Sequence, residues 1–443
     1  MPLVGNPIRI AVAGGNYGGL GAVKSLYLNL LATNPDYDGT KQAPPNPNIN
    51  ITLIDRRDGF VHYLGMTRGI SNPEYGRQLW IPYADMPWLQ HPSIAIKKNI
   101  ISRITPKHIE FADSNEKMEF DYLVLAMGLS RNAPIGVSAS TEHEYLDSIH
   151  RYHTLIQDAK SIAIVGGGAV GTEMAADLKS DYPEKDIVLI HSRKLPVQGP
   201  FMDEFRHEVV NVLHKLGVKT IFGERVIDES AVKEDFSLAN SKHSAILPEL
   251  IDSVKRKATL ITSSGSKVQA DLVFKCLGAK NKSPLIDLPS SNEHVLFSSH
   301  GIRVNSCMQV DDPKYQHIFA VGDISNLAVA KYAGAAVRSG GTAGENIAKL
   351  INSKGAPVDL SQMKSRGGKN KGDKGENKIG PGATAGSAGY SHMKLELGEH
   401  YCVIQSDDGV VPPEVASSMS SPDIKLSKVK RNLAVGRYLP LER

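Results

Sequence analysis

Two strand–glycine–helix signatures stand in one chain, and no other feature narrows its fold as far. The first runs Ile8-Arg9-Ile10-Ala11-Val12-Ala13-Gly14-Gly15-Asn16-Tyr17-Gly18-Gly19. The second runs Ser161-Ile162-Ala163-Ile164-Val165-Gly166-Gly167-Gly168-Ala169-Val170-Gly171. Each apolar run reads as a buried strand, and each glycine cluster opens a segment with helical spacing. In the second, Gly166 permits the tight turn, Gly168 lets backbone approach a pyrophosphate, and Gly171 lets helix pack on strand. Free N–H groups at the helix start add partial positive charge where phosphates would lie. Two such signatures imply two dinucleotide cradles, an arrangement suited to hydride transfer between two bound dinucleotides.

The strand after the second signature, Ile187-Val188-Leu189-Ile190, ends at His191. It ends about 20 residues past the glycines, where the pattern places a ribose-binding acid. A carboxylate there would repel a 2′-phosphate. His191, Ser192, Arg193 and Lys194 lack that repulsion, so NADPH is expected to serve as well as NADH. The first signature is less regular. Gly14, Gly15, Gly18 and Gly19 fit, but Asn16 takes the central glycine place, ahead of Tyr17, and its side chain is expected to crowd the phosphates. Asp55, followed by Arg56, ends the strand Ile51-Thr52-Leu53-Ile54 and is the natural ligand for an adenosine ribose. Asp323 follows Phe319-Ala320-Val321-Gly322 and either faces the ligand crevice or caps a helix. Ala126 and Gly128, Gly278, and Gly322 sit at strand ends and are further candidate cofactor contacts.

A length of 443 residues predicts two or three domains, and 41% hydrophobic with 22% charged residues fits a globular chain. A net charge of +4 is mild and does not argue for a nucleic-acid binder. Three scattered cysteines, Cys276, Cys307 and Cys402, form no C-x-x-C, which argues against a disulfide framework or a redox dithiol. Cys276 reads as core, and no histidine spacing predicts a metal. The N-terminus reads as neither a secretory nor a myristoylation signal, and no stretch of about 18 apolar residues predicts a spanning helix.

The fold class is therefore α/β, with two Rossmann-like domains, the second inserted in the first, and a small C-terminal segment. The expected divisions are 1–130 and 271–355 for the first domain, 155–270 for the second, a disordered basic loop at 361–389, and a tail at 391–443. A Pro- and Asn-rich surface insertion spans 35–49, and a small-residue helix runs from Ala333 to Leu350.

These residues together resemble the pyridine-nucleotide flavoprotein reductases, in the branch of apoptosis-inducing factor and ferroptosis suppressor protein. The likeness is carried by Gly166-Gly167-Gly168-Ala169-Val170-Gly171-Thr172-Glu173-Met174, Asp181-Tyr182-Pro183, Ala270-Asp271-Leu272-Val273, Ile302-Arg303-Val304-Asn305 and Phe319-Ala320-Val321-Gly322-Asp323. It covers roughly residues 6–355. The resemblance implies FAD on the first signature and Asp323, and NADH or NADPH on the second. It implies that Glu173 seats the nicotinamide against the flavin, that Lys331 stabilises reduced flavin, and that Arg68 is a basic cofactor contact. Met127 departs from the family's usual Thr.

The expected activity is an NAD(P)H oxidoreductase whose acceptor is a small molecule, with a quinone as the first choice. The alternative is a flavin-containing redox-sensing signalling protein with slow turnover. The cysteine usage favours a reducing compartment and so a cytoplasmic location, with peripheral contact to an organelle membrane such as the mitochondrial outer membrane left open; oligomeric state is not read.

Overall fold

The computed structural model describes residues 6–32, 43–131, 134–230, 254–281, 285–289, 297–298, 301–327, 331–353, 392–406 and 408–435. The basic segment 361–389 and residues 35–42 of the insertion lie outside them.

In chain order, β1 (Ile8–Ala13) and α1 (Tyr17–Leu26) lead to β2 (Ile49–Asp55), α2 (Met66–Ser71), β3 (Ile94–Lys98) and β4 (Tyr122–Leu125). Next come α3 (Glu142–Asp158), β5 (Ser161–Val165), α4 (Ala169–Asp181), β6 (Asp186–His191), α5 (Asp203–Leu216) and β7 (Lys219–Phe222). β8 (Val226–Ser230), β9 (Val254–Thr262), β10 (Lys267–Lys275), β11 (Ile318–Ala320) and α6 (Ala333–Asn352) follow. The described residues close with β12 (Met393–Leu397), β13 (Tyr401–Ser406), β14 (Gly409–Val410), α7 (Pro413–Ser418) and α8 (Leu426–Asn432).

The first sheet is ordered β11-β4-β1-β2-β3 and is parallel throughout. Helices or chain cover both faces of its central strand, so Ile10 through Ala13 of β1 are buried. The second sheet is ordered β7-β6-β5-β10-β9-β8. It is parallel from β7 to β10 and antiparallel from β10 to β8. β11 returns to the first sheet beside β4, so the second unit is inserted in the first.

One boundary is corrected. The run from Ala270 was expected to lead the chain back to the first unit. Instead β10 pairs in parallel with β5, Ile162 opposite Leu272 and Val165 opposite Lys275. The return comes later, with β11.

α1 lies backbone to backbone on α6. A Cβ at Gly340 would meet the Gly18 carbonyl oxygen at 2.0 Å, and one at Gly344 would meet that of Ala22 at 2.7 Å. The small residues of α6 thus set how closely the two helices approach, and so where the glycine turn before α1 stands.

The C-terminal chain, left without an assignment from sequence, forms an antiparallel sheet β12-β13-β14 with α7 and α8. It packs on α4 and α5. Side chains of the first unit clasp its backbone. Lys24 Nζ donates to the Asn432 carbonyl, Tyr75 to that of Asp423, and Trp88 Nε1 to that of Leu433, at 2.9, 2.9 and 2.8 Å. His62 Nε2 donates to the Ile424 carbonyl at 2.9 Å, which leaves Nδ1 to accept from the Tyr17 hydroxyl at 2.9 Å.

Candidate active site

The two glycine turns are built alike. Gly14 has φ +105° and Gly166 +114°, conformations that favour glycine. A Cβ would lie 2.5 Å from the Ala126 carbonyl oxygen in the first and 2.4 Å from that of Cys276 in the second. In each turn the next N–H is taken by the side chain ending the neighbouring strand. Gly15 donates to Asp55 Oδ2 at 2.6 Å, and Gly167 donates to His191 Nδ1 at 3.1 Å.

A cavity of about 1020 Å³ opens on the first turn. That is at the upper end for ligand pockets and has room for a dinucleotide. Gly14, Asn16, Tyr17, Gly18, Asp55, Arg56, Ala126, Gly128, Gly322 and Asp323 all border it. Gly15 and Gly19 do not; they sit behind, Gly15 against Tyr83 and Gly19 against the Gly14 carbonyl. Asn16 is not a loose side chain crowding the space. Its Oδ1 caps the Tyr17 N–H and its Nδ2 donates to the Val61 carbonyl, both at 2.9 Å.

Asp55 is largely buried, and its Oδ1 accepts from the Arg57 backbone N–H and Nε at 2.9 and 3.1 Å. Arg57, unremarked in the sequence, also reaches the Tyr63 hydroxyl at 2.7 Å. Asp55 therefore holds the turn as well as bordering the cavity. Arg56 donates to the carbonyls of Ser138 and Val137. Asp323 pairs with Arg131 Nη2 at 3.0 Å, a residue sequence reasoning missed because nothing local marks it.

A second cavity, of about 900 Å³, opens on the second turn and is bordered by Gly166, Gly168, His191, Arg193, Arg225 and Gly278. No atom stands within 4 Å of a Cβ at Gly168, so a side chain there would occupy the cradle and a bare backbone leaves it open. Gly171 lies behind, its Cβ direction 1.9 Å from the Gly166 carbonyl oxygen. His191 Nε2 is buried with no hydrogen-bond partner among the described residues. Burial, then Arg193, lowers the His191 pKa, so a neutral ring with an uncommitted, buried N–H stands in the cavity wall. An orphaned donor, an open glycine backbone and two arginines fit a nucleotide. Cys276, expected as core, stands just past β10 on this cavity's wall.

The two cavities meet. Arg131, Ile135, Ala169 and Val170 border both, at the N-terminus of α4. Glu173, one turn along α4, borders the first. Burial, reinforced by the charges of Asp177 and Glu396, pushes its carboxyl well above the usual carboxylate range, against the Glu396 backbone N–H and Arg68. Lys331 borders the same cavity and donates to the Ser325 carbonyl. Burial lowers its pKa against the opposing pull of Asp323.

Arg68 is corrected: it does not border either cavity. It is buried in an ion pair with Asp177 at 3.2 Å and donates to the Pro422 carbonyl at 2.7 Å and to that of Gly398. It joins α2, α4 and the C-terminal chain. Among the described residues no three His, Cys, Asp or Glu gather to hold a metal ion, and no helix is long and apolar enough to cross a membrane.

The family model of the pyridine nucleotide-disulphide oxidoreductases matches residues 89–340. The chain is 31% identical to oxidoreductase OXR1 of Ajellomyces capsulatus over 81% of this chain and 77% of that one. It is 26% identical to ferroptosis suppressor protein 1 of Homo sapiens, over 78% of this chain and 81% of that one. A solved NAD-dependent persulfide reductase from A. fulgidus superposes with a TM-score of 0.55 at 17% identity, over 77% of this chain. This chain spans 59% of that longer protein, and the likeness concerns the fold.

Proposed function

The chain belongs to the pyridine nucleotide-disulphide oxidoreductase family, in the branch of apoptosis-inducing factor homologues and ferroptosis suppressor proteins, and on that premise we propose that it is an NAD(P)H:quinone oxidoreductase without a disulfide relay. Its cofactors are FAD and NAD(P)H. When bound, FAD supplies the two-electron chemistry between donor and acceptor.

The observation that carries the reading is the wall shared by the two cavities. Ala169 and Val170 border both, so a donor held on the second turn would reach the first cavity across this wall. The N-terminus of α4 orients the donor's phosphates, with Gly168 giving close approach. Asp55, through Gly15, fixes the first turn, and Asp323, paired with Arg131, would bond the hydroxyls of a ribityl chain. Glu173, its proton affinity raised by burial, borders the first cavity one turn along α4 from that shared wall. Lys331 supplies a cation in the first cavity, where negative charge develops.

The cysteines support the absence of a thiol relay. The Cys276 thiol is pushed up to about 12 by burial and donates to Met174 Sδ at 3.8 Å. Burial also pushes Cys402 up to about 11. Thiols held protonated are poor nucleophiles.

The test is visible absorbance of the purified protein loaded with FAD. Anaerobic NADPH bleaches the flavin bands, and a soluble short-chain quinone restores them over many turnovers. Bleaching that a quinone does not reverse faster than buffer alone overturns the quinone reading and favours the slow redox sensor.

A further inference from the structure

Both crossings of the chain between the two units run through one short antiparallel ribbon. Leu129–Ser130, on the way out from β4, pairs with Lys280–Asn281, on the way back from β10, with Leu129 opposite Asn281 and Ser130 opposite Lys280. The outgoing strand borders the first cavity. Leu277, Gly278 and Ala279, just ahead of the returning strand, border the second. Arg131 follows the outgoing strand directly. It belongs to the wall that the cavities share, together with Ala169 and Val170 at the start of α4. Among the described residues it is the one cation that borders both. Arg193 and Arg225 line the second cavity alone, and Lys331 and Arg338 the first alone.

With FAD and NAD(P)H as the cofactors of the family, we propose that Arg131 is a phosphate-binding residue of the donor site, held in place by Asp323 of the flavin site. Its Nη2 donates to Asp323 Oδ2 at 3.0 Å, and among the described residues that is its one hydrogen bond. A guanidinium carries five N–H donors in a rigid fork, so most of the fork remains for an anion. The donor brings a pyrophosphate to the start of α4, because a helix N-terminus and an open glycine turn favour it there. The Arg131 side chain borders the cavity at that same wall and is 36% exposed, so a ligand can meet it.

One charge then serves two ligands. Asp323 stands on the turn after β11, in the first unit, and fixes the long Arg131 side chain before a donor arrives. Ordering such a side chain in advance removes part of the entropy that binding would otherwise cost. The charges stay balanced when a phosphate shares the guanidinium. Lys331 borders the same cavity as Asp323 and lies in its field, so the carboxylate faces a second cation. A lysine at 131 would supply a point charge without the planar fork, and so a weaker hold on two partners at once.

The test uses the full chain loaded with FAD. NADP⁺ is titrated against the visible spectrum of the oxidised flavin, which gives an equilibrium Kd without turnover. Arg131→Met is expected to raise that Kd about tenfold or more, and Arg131→Lys about threefold. Asp323→Asn should raise it about threefold when Arg131 is present and leave it unchanged in the Arg131→Met background, because Asp323 acts on the donor through Arg131. A donor without phosphates, 1-benzyl-1,4-dihydronicotinamide, should bleach the flavin at the wild-type rate in Arg131→Met and Arg131→Lys. A wild-type Kd for NADP⁺ in FAD-loaded Arg131→Met overturns the assignment. An equal loss for the phosphate-free donor, the sign of a distorted cavity, also overturns it. If Arg131→Met does not retain FAD, Arg131→Lys carries the test, and a wild-type Kd there overturns the assignment. Quinone reduction enters none of these readouts, so the quinone reading and the role of Arg131 fail separately.

Discussion

Asp55 and His191 are one structural position occupied twice. Each ends the strand beside its glycine turn, and each accepts the N–H of the turn's second residue, from Gly15 at 2.6 Å and from Gly167 at 3.1 Å. The first carries a negative charge held by Arg57, and the second a neutral imidazole with its other nitrogen unpartnered. The same scaffold thus presents opposite chemistry to its two ligands.

Asp55→Ala is expected to lower stability by about 3–5 kcal/mol, because Arg57 loses its buried partner, and to release FAD on desalting. Burial pushes the Asp55 carboxyl upward, but Arg57 and the Gly15 N–H outweigh it and hold the group below its usual 3.8. Its stabilisation is therefore present above that value and lost only as pH falls through the lower folded one. The difference in Tm between wild type and variant should be flat from neutrality to mild acid and shrink only in strong acid.

His191→Asp should turn the donor preference. The new carboxylate repels a 2′-phosphate, so kcat/KM for NADPH is expected to fall at least tenfold, or about 1.4 kcal/mol, while that for NADH holds. In the wild type, an NADH preference above about a hundredfold, roughly 2.7 kcal/mol, would contradict the neutral-ring reading.

Asp177 ties stability to pH in the opposite sense to Asp55. Burial raises its carboxyl from 3.8 to about 6 despite Arg68. A raised acid stabilises the fold below its unfolded pKa, and that contribution is lost as pH rises through the folded value. Asp177→Asn should remove this component, so the variant's Tm falls less than the wild type's between pH 3.8 and about 6. Thermal melts across that window measure it.

Two neighbouring glycines in α6 should respond oppositely to alanine. At Gly340 a Cβ meets the Gly18 carbonyl oxygen at 2.0 Å, whereas at Gly341 nothing lies within 4 Å. Gly340→Ala forces the helices apart and is expected to cost about 1–3 kcal/mol. Gly341→Ala gains about 0.5–1 kcal/mol from helix propensity. Denaturant midpoints of the two variants decide this.

Local chemistry was legible. The glycine turns, the strands before them and the residues ending the next strands are set by contiguous chain, and they stand where the spacing puts them. The strand from Ala270 was misassigned because an apolar run buried on both faces reads the same in either sheet; only the pairing with Ile162–Val165 distinguishes them. Arg68 and Asp177 are 109 residues apart in sequence, so no pattern marked the pair. Arg131 was likewise invisible, since its partner Asp323 is 192 residues away and chosen by tertiary packing. The C-terminal unit escaped because it has few apolar runs and is fastened through peptide groups, which every residue possesses.

That fastening bears on how the site could change. Lys24, His62, Arg68, Tyr75 and Trp88 grip carbonyl oxygens, not side chains, of the C-terminal chain. Ile424 and Lys425, on the gripped stretch, border the first cavity. Residues there can be exchanged without loosening the grip, so the entrance can be refitted to a different electron acceptor while its anchorage stays put.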